Sequence, residues 1–156
     1  MEMTTRPMAA EATHSAGGRF ATFIVDRLLF GVDVADVQEV LRPQAMTRVP
    51  LAPAVISGLI NLRGQIVTAL DMRQRLKLAA RSAEAAPMNV VVRADEEPLS
   101  LLVDEIGDVI DVEAAAFERR PNNLDGAVKE LISGVYKLKG RLMLVLDINS
   151  TVTLTD

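Results

Sequence analysis

The sequence predicts a mostly β protein built as two small barrels of similar design, and three observations carry that expectation. The first is an internal repeat. The run Ile56-Ser-Gly-Leu-Ile-Asn-Leu-Arg-Gly64 returns 76 residues on as Ile132-Ser-Gly-Val-Tyr-Lys-Leu-Lys-Gly140, and Asp71 recurs as Asp147. The second is strand spacing: short runs rich in Val, Ile, Leu and Phe, broken by Gly, Pro or Asp turn signals, suit small barrels or sandwiches better than βαβ units. The third is that no helical period of useful length separates those runs. Two units in one chain of 156 residues leave roughly 65 residues each, a size that buries only about 60% of its unfolded surface. Neither half is then expected to be stable alone, and the two are expected to pack on each other.

Each element follows from local chemistry. Residues 1–18 read as a flexible N-terminal tail of small and polar residues, with Arg6 but no apolar run after it, so not a signal peptide. Residues 20–25 and 28–32 are strands around Asp26-Arg27, a two-residue hairpin loop. Asp33 stands where an N-cap would, ahead of one helical turn over residues 34–37. Residues 40–41 and 46–49 are extended around Pro43, and Pro50 and Pro53 keep the next stretch rigid and non-helical. The repeated hairpin follows and turns at Arg63-Gly64, where glycine supplies the positive φ of a tight turn. Residues 79–87 are small, polar and aperiodic. The first barrel is therefore placed at 19–80, a connector at 81–87 and the second barrel at 88–156, with the option that its last strand crosses back to the first. In the second unit, residues 88–92 and 99–103 flank an acidic turn at 95–98. Val103-Asp104 echoes Val32-Asp33, while Val109 and Val112 echo Val37 and Val40. Residues 119–126 read as a loop, and the closing hairpin turns at Lys139-Gly140.

Composition excludes several classes of function. A net charge of −4 and 3% aromatic residues leave neither a footprint for phosphates nor a stacking platform for bases, so no nucleic acid is expected as a partner. Cysteine is absent and the lone histidine, His14, lies in the tail. No Ser-His or Cys-His pair and no zinc site can then be built in the folded part. Asp71 and Asp147 suggest a two-lobed aspartic dyad, but neither is followed by the small-residue turn a dyad needs. Capping of a short turn accounts for both. Asp104, Glu105, Asp108, Asp111 and Glu113 lack the spacing of an EF-hand loop and read as a solvated face. No enzyme activity, metal or cofactor is expected, and no apolar run reaches the roughly 18 residues of a membrane span. Two charges stay ambiguous. Arg63, with five donors at a hairpin turn, is either a solvated turn residue or an interface arginine. Glu39, in Val37-Gln-Glu-Val40, is either an exposed strand charge or a contact of the same kind.

At these residues the chain resembles the CheW family of bacterial chemotaxis adaptors. The resemblance runs through Phe23 to Val32, Val37-Gln-Glu-Val40, Pro50-x-x-Pro53-x-x-Ile56-x-Gly58, Asn61-Leu-Arg-Gly64 and Asp71, then Leu102-Val-Asp-Glu-Ile-Gly-Asp-Val109 and residues 134–147. It implies a CheW-like domain over 19–156, made of two SH3-like β-barrels packed together with short helical turns, and neither catalysis nor a cofactor. It implies two partners in signal transduction. One is the regulatory domain of the histidine kinase CheA, met through a barrel end. The other is the cytoplasmic signalling tip of a chemoreceptor, laid in an apolar groove between the barrels. Self-association in arrays is a further option. Family positions that affect partner binding fall on Glu39, Gly58, Arg63, Ile106 and Val109, while Asn61 and Gly64 shape the turn that presents Arg63. Val37, Ile106 and Val109 would line the groove, and Glu39 and Arg63 would set register at its rim. The implied location is the cytoplasm, at receptor arrays on the inner membrane, without direct insertion. Two other readings stand beside this one. The first is an adaptor of a non-flagellar pathway serving pili, gliding or gene expression. The second is a small-molecule-sensing barrel, for which the chain offers few convergent polar groups or aromatics.

Overall fold

Most of the strands have two faces to bury, and this shapes everything else in the molecule. The computed structural model describes residues 17–82, 84–119, 124 and 126–153. β1 (Gly17–Val25) and β2 (Leu28–Asp33) form a hairpin around Asp26-Arg27. A 3-10 turn at Val34–Asp36, with the Asp33 carboxylate accepting from Ala35 N at 2.9 Å, leads to β3 (Val37–Leu41). The first repeated hairpin is β4 (Ile56–Leu62) and β5 (Gln65–Asp71), followed by α1 (Met72–Arg75). Then come β6 (Met88–Ala94), β7 (Glu97–Val103) and β8 (Glu105–Glu113). A second 3-10 turn at Ala114–Ala116, β9 (Phe117–Glu118) and α2 (Gly126–Leu131) precede the second repeated hairpin, β10 (Ile132–Leu138) and β11 (Arg141–Leu146). α3 (Ile148–Val152) ends the described chain. The repeated aspartates are turn caps: Asp71 accepts from Arg73 N at 3.0 Å and Asp147 from Ser150 N at 3.2 Å.

The strands form two sheets, in the orders β8-β1-β2-β11-β10-β9 and β3-β6-β7-β5-β4. The fold is the expected mostly β pair of SH3-like barrels, but the barrels are not consecutive halves of the chain. β1 and β2 join the sheet of the C-terminal hairpin, and β6 and β7 join the sheet of the first repeated hairpin. A cut at 81–87 therefore does not separate the barrels. The cause lies in two parallel pairings, β2 beside β11 (Phe30 opposite Leu144) and β5 beside β7 (Leu70 opposite Leu101). Through them each unit's leading hairpin completes the other unit's barrel. The end of a repeat in sequence marks where a duplication stops, not which sheet its hairpin enters.

Three apolar clusters account for the strand patterns. All six strands of the first sheet send side chains into one of them, built around Phe20, Leu29, Tyr136, Met143 and Val145. All five strands of the second sheet line another, with Ile60, Leu62, Val67, Ala69, Val91 and Leu102 buried and Leu41 packed against them. The largest cluster lies between the sheets and draws on both, from Phe23 and Phe30 to Val90, Leu101, Leu144 and Leu146. In β6, Val91 faces its own barrel while Val90 and Val92 face the shared core. Burial on both faces explains the apolar runs at 90–92, 101–103 and 143–146, which period-2 alternation would not produce.

Two expectations need correction. α2 was not anticipated, because six residues are too few to show a helical period; it forms as Val128 and Leu131 insert into the shared core. β1 already begins at Gly17, so two residues assigned to the tail are strand. The rest of that tail and most of the loop at 119–126 lie outside the described residues.

Candidate functional site

The Asn61–Gly64 turn is a two-residue loop between Leu62 and Gln65, which pair across β4 and β5. Arg63 and Gly64 both take positive φ, 52° and 89°, the pattern of a type I′ turn, whose twist matches the flanking strands. Such a φ is uncommon for arginine, and a local hydrogen bond supports it: Gly64 N donates to Asn61 Oδ1 at 2.8 Å. From this turn the Arg63 Nη2 donates to Glu39 Oε2 on β3. Glu39 is largely covered and Arg63 is 70% exposed, so the pair leaves most of the guanidinium in solvent. The Asn61-Leu-Arg-Gly64 motif and Glu39, from separate stretches of the sequence, thus form one cluster on the second sheet.

Gly58 is placed differently from the rest. It is buried, and a Cβ built on it would lie 2.6 Å from the Thr47 carbonyl oxygen. Thr47 bridges Leu59 there, closing the barrel beside β4. Its counterpart Gly134 is crowded by a side chain instead, with a Cβ 2.5 Å from the Phe117 ring and 3.0 Å from Glu118 O. Both stand where the hairpin register shifts. Gly58 permits a close crossing of backbone and offers no surface of its own.

Of the apolar candidates, Val37 stands two residues from Glu39 on β3, and the other two lie on the other sheet. Ile106 and Val109 are on β8, an edge strand of the first sheet. Between them β8 bulges around Thr22, whose Oγ1 donates to Asp108 O at 2.6 Å. A bulge redirects the side chains on either side of it: Ile106 packs against the shared core, while Val109 is 58% exposed. Val37 opens β3 and also packs against the shared core. Val37 and Ile106 are thus half-buried at the edge of the shared core, with Val109 exposed beside them. The acidic residues of β8 do not act as a set. Asp111 pairs with Arg19 at 2.9 Å with both side chains exposed, and the hydrogen bond and charge of Arg19 hold its carboxyl below the usual range. Among the described residues no group of side chains suits a metal ion, and no helix is long and apolar enough to cross a membrane.

A CheW-like domain matches residues 19–155. The chain belongs to the CheW family. The chemotaxis protein CheW of Treponema pallidum is 27% identical over 135 residues, covering 84% of this chain and 79% of that protein. Its namesake in Bacillus subtilis is 27% identical over 136 residues, 87% of each chain. The crystal structure of the scaffolding protein TtCheW from Thermoanaerobacter tengcongensis shares the fold, with a TM-score of 0.80 at 23% identity, covering 88% of this chain and 94% of that one.

In this CheW-family chain the structure also assembles charges that no sequence motif singled out. Asp104 is not a solvated acid: it accepts hydrogen bonds from Arg73, Arg81 and the backbone N–H of Asp26. Burial alone would raise its pKa, but those donors outweigh it and hold the carboxyl below the usual range. Arg75 donates to the carbonyls of Ser150, Thr151 and Thr153, satisfying the end of α3. A sequence signal for both exists. Where the first copy reads Asp71-Met-Arg-Gln-Arg75, the second reads Asp147-Ile-Asn-Ser-Thr151, so two arginines stand opposite neutral residues directly after a shared aspartate.

Proposed function

We propose that this chain is a non-catalytic adaptor that couples chemoreceptors to the histidine kinase CheA, working in the cytoplasm at receptor arrays. The observation that carries this reading is the Arg63 turn, shaped by Asn61 and tethered by Glu39, in a family whose curated relatives are named chemotaxis proteins. An ion pair this exposed contributes little to stability, about 0–1 kcal/mol. A guanidinium held at the surface in a fixed direction is better accounted for by a partner that accepts its remaining donors. We assign the kinase regulatory domain to this end of the second sheet. The receptor tip is assigned to β8 and the adjoining rim, where Val109 and Ile106 offer apolar side chains to a helical partner. Coupling then needs no chemical step, because holding both partners at once raises the concentration of each for the other.

The geometry favours macromolecular partners over a small ligand. Two open clefts among the described residues, of about 340 and 390 Å³, lie at Arg75–Glu130–Thr153 and at Asp111–Ala116–Lys137. Neither contains an aromatic side chain or any of the residues assigned to partner binding, and the Arg75 donors already serve backbone carbonyls. The test is Arg63→Glu, which sets a second carboxylate beside Glu39. The variant should keep its far-UV spectrum and cooperative melt and lose about tenfold or more in affinity for the kinase regulatory domain by calorimetry. Unchanged affinity for both kinase and receptor fragments would remove Arg63 from the contact.

A further inference from the structure

The described chain changes sheet twice, at the turn after β2 and at Asp104, where β7 of the second sheet ends and β8 of the first begins. Asp104 gathers three segments around one carboxylate. Arg73, on α1, donates Nη2 at 2.8 Å and Nε at 3.1 Å. Arg81, on the connector, donates Nε at 3.0 Å, and the Asp26 N–H, at the β1–β2 turn, donates at 2.6 Å. The Asp104 backbone N–H adds a bond to Ile24 O at 2.9 Å. The arginines are held in turn: Arg73 Nη1 donates to Ala79 O at 2.9 Å, and Arg81 Nη2 lies 3.6 Å from Asp71 Oδ1. The side chains of Arg73, Arg81 and Asp104 are each less than a fifth exposed.

We propose that Asp104 is a positioning residue for partner binding, fixing where β8 begins relative to the second sheet and so where Ile106 and Val109 stand with respect to Val37. The inference rests on the receptor assignment made above. Three features argue for it. β8 is an edge strand whose ladder partner is β1 alone, with Glu105 opposite Ile24 and Ile106 opposite Phe23, so the Asp104 network, two residues before Ile106, is the hold that ties its start to the second sheet. A planar fork of Arg73 donors on one carboxylate fixes direction as well as distance, which a lysine or a neutral amide would not do. The network also joins α1 and the connector, on the side of the second sheet, to the β1–β2 turn of the first.

The experiment uses Asp104→Asn in the full chain, with two measurements. In the free protein, amide exchange across residues 105–113 and 26–27 should rise about tenfold or more while β4 and β5 keep their protection. Affinity for a receptor-tip fragment should fall about tenfold, while affinity for the kinase regulatory domain, at the Arg63 end, stays within about twofold. A loss of folding alone would lower both affinities together, so an equal loss of both overturns the proposal, as does unchanged exchange in β8. Should Asp104→Asn fail to fold, Arg81→Gln removes one donor and leaves the Arg73 fork. It should give the same pattern at smaller size, and wild-type exchange in β8 of that variant overturns the proposal equally. The exchange measurement needs no partner, so a wild-type chain that binds no receptor tip would contradict the assigned function while leaving the hold of Asp104 on β8 to be decided separately.

Discussion

Asp33 and Asp104 end equivalent strands in the two copies of the repeated unit, and at both the chain leaves one sheet for the other. Asp33 caps Ala35 N in the turn that follows it, and Asp104 accepts from three other segments. The hairpin turns differ in the same sense. Asn61 bonds within its turn and frees Arg63 to reach Glu39 on β3; its counterpart Lys137 instead reaches Glu118 at 3.4 Å. Meanwhile the residues that make a barrel at all, Gly58 with Gly134 and Asp71 with Asp147, do equivalent work in both copies. Duplication preserved what closes a barrel, and divergence went to the charges that tie barrel to barrel or face outward. Near the centre the copies meet. Arg75 donates Nε to Thr151 O at 2.8 Å, and Thr151 is Arg75's own counterpart, as happens beside a local two-fold axis.

The comparison can be broken most forcefully at the shared glycines. Gly58→Ala drives a Cβ against the Thr47 carbonyl, which is backbone, at a φ of 159° that side chains rarely adopt. It should cost about 3 kcal/mol in urea unfolding. Gly134→Ala meets mainly the Phe117 ring, which can shift, and should cost about 1–2 kcal/mol. Equal losses would mean that the two crossings are equally rigid.

The crossover aspartates come next. Asp104→Asn leaves two largely buried guanidinium groups short of a charge partner and should cost about 2 kcal/mol at pH 7. Asp33→Ala loses the cap on Ala35 N, about 1 kcal/mol. The Asp104 contribution has a defined pH window. Its folded pKa lies below the ordinary carboxylate value, so its stabilisation is fully present above about pH 4 and is lost as pH falls through the folded value. The gap between wild type and Asp104→Asn in urea midpoint should therefore narrow as the pH is lowered below about 4. A constant gap would show that the charge of Asp104 is not what matters. The smallest contrast is in the turns. Asn61→Ala should cost about 0.5–1 kcal/mol through its lost bond to Gly64 N, while Lys137→Ala, which removes an exposed pair, should cost about half a kcal/mol or less. A larger loss at Lys137 would reverse the assignment of which turn is locally braced.

Much of the barrel design was legible in the sequence because it depends on neighbours in the chain. The Asp26-Arg27 loop, the Asp33 cap, the Arg63-Gly64 turn and the Asp71 and Asp147 caps are all local, and the structure has each of them. The exchange of leading hairpins was not legible. β2 and β11 are far apart in sequence, and their apolar runs would suit burial in either barrel. Asp104 reads as a solvated acid in the sequence because its partners, Arg73 and Arg81, lie 31 and 23 residues away. Of the candidate site, Glu39, Asn61, Arg63 and Gly64 come together. Gly58 turns inward, Val37 and Ile106 are half-buried at the edge of the shared core, and Val109 is exposed.

The central claim is that two separate surfaces, the Arg63 turn on one sheet and β8 on the other, hold two partners at once. Sedimentation velocity on this chain with the kinase regulatory domain and a receptor-tip fragment, singly and together, tests it most directly. The account predicts a complex of all three that sediments faster than either pair, with Arg63→Glu removing the kinase domain and leaving the receptor fragment bound. Mutual displacement of the two partners, so that no three-part complex forms at any ratio, would contradict it.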